Sequence, residues 1–110
     1  MPYPPSIYAD DRGVWSDESS GESYGIAWDD IFRVTAGTID TVVRVDLVVE
    51  LQFSWGGYVE LNDEWPGFQE VVAELTRRLP GIDHQWASLA KELQPGTAVE
   101  VWRRSAETAV

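Results

Sequence analysis

The sequence has no cysteine. That absence removes disulfides, thiolate zinc sites, cysteine nucleophiles and iron–sulfur clusters together, so stability has to come from packing. Positive charge is scarce as well: 8 Lys and Arg stand against 19 Asp and Glu, for a formal net charge of −11. A field of that sign repels phosphates, which argues against nucleic acid and anionic lipid headgroups and favours a cation or a basic protein as partner. It also serves plain solubility. The deficit is uneven, since residues 1–76 carry 15 acids and 3 bases while residues 77–110 come to +1. The opening MPYPPSIYADD has neither a basic nor an apolar leader region, and no apolar run is long enough to cross a bilayer. A cytoplasmic protein with no membrane partner is expected.

Several chemical signatures are missing too. Neither G-x-G-x-x-G nor a Walker A pattern occurs, and Gly56-Gly57 falls between strands rather than between a strand and a helix, so no phosphate cradle or nucleotide cofactor is indicated. No G-x-S-x-G is present, and the one histidine, His84, follows Asp83 at a helix start, where a surface role is the simpler reading. No EF-hand spacing occurs. No catalytic residue, cofactor or metal is therefore assigned.

What is present is aromatic and strand-forming. Six tryptophans occur in 110 residues, and each can bury roughly 200 Å², so much of the core energy falls to a few rings. The length suits one domain over residues 1–110, with an ordered core over about 5–104 and a frayed tail over 105–110. Ile7–Ala9 and Val14–Trp15, separated by Asp10, Asp11, Arg12 and Gly13, read as a hairpin, and DESSGES (17–23) reads as a surface loop. In VVRVDLVVELQF, Val43, Val45, Leu47, Val49, Leu51 and Phe53 hold alternate positions, which predicts a long strand with one buried face. After Trp55-Gly56-Gly57-Tyr58 the alternation resumes at Val59 and Leu61. Pairing Trp55 with Val59 and Phe53 with Leu61 keeps rings away from Glu60, so a three-residue loop or bulge is predicted instead of a two-residue turn.

Pro66, preceded by the possible caps Asn62, Asp63 and Glu64, opens a helix carrying Phe68, Val71, Val72, Leu75 and Leu79, which Pro80-Gly81 ends. A second, short helix follows with Asp83 as N-cap and Trp86, Leu89, Ala90 and Leu93 on one stripe. Thr97–Arg103 returns as a strand with Val99 and Val101 on one face and Trp102 on the other. The predicted class is α+β: a strongly bent antiparallel sheet or partial barrel of about six to seven strands, closed by two helices in the C-terminal half.

Four acidic doublets, Asp10-Asp11, Asp17-Glu18, Asp29-Asp30 and Asp63-Glu64, could supply oxygen ligands to a cation or an acid–base pair. All four fall at expected turns, where Asp side chains bond nearby amides, and that is the simpler reading. In YGIAWDDIFRV, Ile26 and Trp28 occupy even positions and Ile31 an odd one, so a straight strand would turn Ile31 away from its partners. Asp29-Asp30 is accordingly read as a corner. The candidate interaction surface joins aromatic and acidic residues around the glycine turn and the first helix: Trp55, Tyr58, Trp65, Glu60, Asp63 and Glu64.

Through Ile26, Trp28, Asp30, Ile31 and Val34, the stretch GIAWDDIFRV resembles small bacterial proteins of unknown function and the bacterial pleckstrin-homology-like and GRAM-type domains. The resemblance implies a PH-like roll, a bent antiparallel sheet closed by a C-terminal helix, acting as a binding module and not an enzyme. The chain departs from it by returning to a strand after its helices and by lacking a basic loop between its first strands, so lipid recognition is not carried over.

Three functions follow as expectations. One is a non-enzymatic protein-binding module, with a homodimer through a strand edge or the helices as one form. Another is an immunity-type inhibitor that covers a basic toxin. The last is a carboxylate-dependent hydrolase.

Overall fold

A computed structural model describes residues 6–17 and 23–104. The expected loop over 17–23 and tail over 105–110 lie almost wholly outside these residues. The chain runs β1 (Ser6–Ala9), β2 (Gly13–Asp17), β3 (Ser23–Ala27), a single 3₁₀ turn (Trp28–Asp30), β4 (Arg33–Asp40), β5 (Val45–Gln52), β6 (Tyr58–Asn62), α1 (Phe68–Arg78), α2 (Trp86–Lys91) and β7 (Ala98–Arg103). The α+β class is as expected.

Among the described residues the seven strands form two antiparallel sheets, β1-β2-β3 and β6-β5-β4-β7, where the sequence suggested one bent sheet. The break falls at the WDD turn. Ile26 and Ile31 are both buried and five residues apart, and an unbroken strand would put them on opposite faces. The 3₁₀ turn between them absorbs the mismatch, with the Ile31 amide donating to the Trp28 carbonyl at 3.3 Å.

β5 keeps the predicted alternation through Leu47, Val49 and Leu51, all buried, but the strand starts at Val45, and Val43 stands exposed in the preceding turn. Asp46, on the expected wet face, is 5% exposed. Burial of a carboxylate is tolerated when it is paired and bonded. Here Arg44 Nε donates to it at 2.7 Å and Asn62 Nδ2 at 3.1 Å.

The β5–β6 connection is the predicted three-residue loop, set two residues earlier than the alternation suggested. Leu51 pairs with Val59 and Val49 with Leu61, so the loop is Ser54-Trp55-Gly56. Gly56 supplies the φ of +104° that closes it.

One hydrophobic core gathers side chains from both sheets and both helices, including Val14, Ile26, Leu51, Leu61, Val71, Leu75 and Trp86. α1 buries Phe68, Val71 and Leu75, as its spacing requires. None of the expected caps serves it. Gly67 takes the N-cap position at φ 92°, beneath the Ile7 carbonyl, and the Ile7 amide donates to the Pro66 carbonyl at 2.9 Å, so β1 is tied to the helix start. α2 begins at Trp86, three residues after Asp83; the Asp83 carboxylate instead accepts from the Gln85 amide at 2.8 Å.

β7 carries a bulge opposite Val34 and Thr35, and that extra residue changes its faces. Trp102 turns inward, 8% exposed, with its indole N–H donating to the Pro80 carbonyl at 2.9 Å, whereas Val99 is left 40% exposed.

Candidate functional site

The 3₁₀ turn and the β5–β6 loop lie beside each other and leave a groove of about 400 Å³ between them. On one wall stand Asp29 and Asp30, both exposed, with no ion pair among the described residues. On the other stand Phe53 and Trp55, and Phe32 and Arg104 complete the lining.

Local chemistry fixes both walls. At the turn, the Trp28 amide donates to the Arg12 carbonyl at 3.1 Å and its indole N–H to the Asp10 carbonyl at 2.8 Å, which pins the corner to the first hairpin. Arg104 reaches back across the sequence: its Nε donates to the Ile31 carbonyl and its Nη2 to the Trp28 carbonyl, each at 3.0 Å. The guanidinium is thereby spent on backbone oxygens, and Asp29 and Asp30 stay free of it. At the loop, Trp55 stacks on Phe53 with ring centroids 5.1 Å apart, and Gly57 leaves room for the indole where any Cβ would collide with it. Trp55 is 76% exposed. A ring of that size held open by its own neighbours is available to a partner at little ordering cost.

Apart from this groove, the outer face of the four-stranded sheet carries acidic groups of its own. Tyr58, exposed, sits across from Gln52, and Glu60 sits directly across from Glu50. Like charges at directly opposed positions weaken a strand pair. Among the described residues, Glu60 has no cationic partner, and Glu50 has only the Gln52 side-chain amide, at 3.2 Å.

The rest of the expected surface divides. β6 is five residues long, so Trp55 and Tyr58 lie at one of its ends and Asp63, Glu64 and Trp65 at the other, roughly 13 Å away at the usual strand rise. Trp65 is half-buried against the core. Asp63 accepts from the Leu47 amide at 3.2 Å and meets Lys91 at 3.6 Å, while Glu64 faces Arg44 at 3.4 Å. With Asp46 these two form a cluster whose carboxylate oxygens lie within 4.8 Å of one another, a spacing that could suit a cation. The chain supplies its own cations there, Arg44 and Lys91.

The same economy holds throughout. Each of the eight basic side chains is engaged inside the molecule: Arg12 with Asp10, Arg33 and Arg103 with Glu100, Arg44 with Asp46 and Glu64, Arg77 and Arg78 with Glu74, Lys91 with Asp63, and Arg104 with carbonyls. Two carboxyls are shifted, both downward. The Trp15 indole N–H, with the Arg12 and Gly13 amides, holds Asp10 below the ordinary carboxylate value, and Arg103, seconded by Arg33, does the same for Glu100.

No protein-family model, curated protein or solved structure matches the chain. The functional reading therefore rests on the groove itself.

The sequence pointed to Trp55, Tyr58 and Glu60 but took Asp29-Asp30 only for a corner. The pair is a corner, and that is also what exposes it. Its proximity to Trp55 comes from the pairing of the Phe32 amide with the Gln52 carbonyl at 2.8 Å, a non-local contact with no sequence pattern of its own.

Proposed function

We propose that this chain is a non-enzymatic binding module for a basic protein, whose lysine or arginine side chains enter the groove between Asp29-Asp30 and Trp55. One observation carries this reading. All the chain's cations are engaged internally, while Asp29 and Asp30, without an ion pair among the described residues, line the same groove as an exposed indole. A cationic side chain with an apolar stem fits both halves of such a groove, the head at the carboxylates and the stem on the ring. The net charge of −11 speeds encounter with such a partner and makes binding weaken with salt. The same charge supports an immunity-type inhibitor of a basic toxin as the special case in which covering the partner silences it. The two carboxyls with lowered pKa values, Asp10 and Glu100, lie outside this groove and lend nothing to the hydrolase reading. The PH-like roll stays with this proposal as a family reading built on the GIAWDDIFRV motif, as does a cytoplasmic location; no helix among the described residues is long and apolar enough to cross a membrane.

The test is retention of cellular proteins on the immobilised chain at low salt, compared with the Asp29→Asn/Asp30→Asn and Trp55→Ala chains. Basic proteins released by salt and lost from both variants support the groove. Retention that ignores the variants, or no retention at low salt, rejects it.

A further inference from the structure

β7 ends the four-stranded sheet, and among the described residues it has a strand neighbour on one side only. A six-residue edge with neither proline nor lysine lacks two of the devices that block strand addition, and its bulge is confined to Val101. A mainly apolar groove of about 270 Å³ runs beside it, between β7 and α2, lined by Trp86, Leu89, Ala90, Leu93, Val99 and Val101 together with Asp83 and Glu100. Leu89 and Val99, at its mouth, are 49% and 40% exposed. A strand added at this edge would lay its inward side chains over both.

The charge around β7 suggests what that strand is. Arg33, Arg103 and Arg104 stand against Glu100 and Asp83, so the strip carries no net negative charge on a molecule of −11. A second copy of this chain, acidic overall, meets its least resistance there. The edge is also self-complementary. The bulge at Val101 puts Glu100 and Arg103 on the same outer face, paired with Thr35 and Arg33 of β4. Antiparallel pairing centred between Val101 and Trp102 then sets Glu100 opposite the partner's Arg103, and the reverse. We propose that two copies of this chain associate through β7, forming an eight-stranded sheet and burying Leu89 and Val99 at the join. The surface shares Arg104 with the aromatic–acidic groove but uses neither its carboxylates nor its rings.

Sedimentation equilibrium of the full chain, from micromolar to millimolar, tests the proposal. Repulsion between two acidic copies opposes the dimer, so it tightens with salt, up to about 1 M where the screening length is about 3 Å; binding of a basic protein changes the opposite way. Leu89→Lys and Val99→Lys, both at exposed positions, are expected to raise the dimer dissociation constant by about tenfold or more. Arg103→Glu does the same by opposing two glutamates, and Glu100→Arg added to Arg103→Glu restores pairing. Circular dichroism reports whether each variant is folded. A chain that is monomeric at millimolar concentration in high salt overturns the proposal. So does a dimer whose dissociation constant moves less than about twofold in the folded Leu89→Lys chain.

Discussion

Trp55 lies nearly parallel to Phe53, the ring planes 23° apart, over a backbone position that only glycine can hold without pushing the indole away. Gly57 has no positive φ, so its substitution by alanine strains no backbone and acts on the ring alone. Gly57→Ala is expected to displace Trp55, cost about 1 kcal/mol or less of stability, and weaken partner retention as Trp55→Ala does. Thermal unfolding read beside the retention assay separates the two effects. A Gly57→Ala chain that retains its partner normally would show that the stacked position of the indole is immaterial.

Glu50 and Glu60 face each other at a cost. Glu60→Lys replaces a repulsive cross-strand pair with an attractive one, and should stabilise the protein by about 0.2–1 kcal/mol in urea unfolding. The same change should weaken binding of a basic partner. Increased stability together with undiminished binding would remove the outer sheet face from the interaction.

Gly67 combines a φ of 92° with the Ile7 carbonyl where a side chain would start. Gly67→Ala should cost about 2 kcal/mol or more, since it adds left-handed strain to a backbone collision. Denaturant midpoints read this directly, and a loss under about 0.5 kcal/mol would mean that the β1–α1 junction yields easily.

Trp86 is 2% exposed and donates its indole N–H to Thr76 Oγ1 at 2.9 Å. Trp86→Ala should cost about 3–5 kcal/mol, a large share of the stability of a domain this size. Trp86→Phe should cost less, because most of the apolar volume stays.

Asp10 gives the protein an acid limb. Its carboxylate accepts from the Trp15 indole and from the amides of Arg12 and Gly13, at 2.8–3.1 Å, and its folded pKa lies below the ordinary 3.8. The stability this contributes is complete above the unfolded value and disappears as the pH falls through the folded one. Asp10→Asn should therefore be less stable than the parent at neutral pH, with the gap narrowing below about pH 4. Unfolding curves at stepped pH check the sign; a gap that widens in acid would contradict it.

Local pattern carried much of this architecture. The alternation of Leu47, Val49 and Leu51, the parity conflict between Ile26 and Ile31, and the spacing of Phe68, Val71 and Leu75 each name their element without outside help. What they leave open is pairing between distant segments. Nothing in β1–β3 or β4–β7 tells that the strands part into two sheets, because both groups have the same half-buried alternation. The bulge that turns Trp102 inward depends on how β7 meets β4, and the burial of Asp46 depends on Arg44 and Asn62 arriving together. The candidate groove divides the same way. Trp55 was legible from its glycine turn, whereas Asp29 and Asp30 join it only through a contact between residues 32 and 52.

The reach of Arg104 to the carbonyls of Trp28 and Ile31 has a consequence for the order of events during synthesis. The Trp55 loop is closed by residues 53–57 and can form as soon as they are made, but the corner bearing Asp29 and Asp30, tied on one side to the first hairpin through Trp28, waits more than seventy residues for Arg104 to hold its other side. A nascent chain can therefore offer its ring before its carboxylate wall is held in place. The groove gains its last lining side chain only when β7 and the Arg104 that follows it have been added.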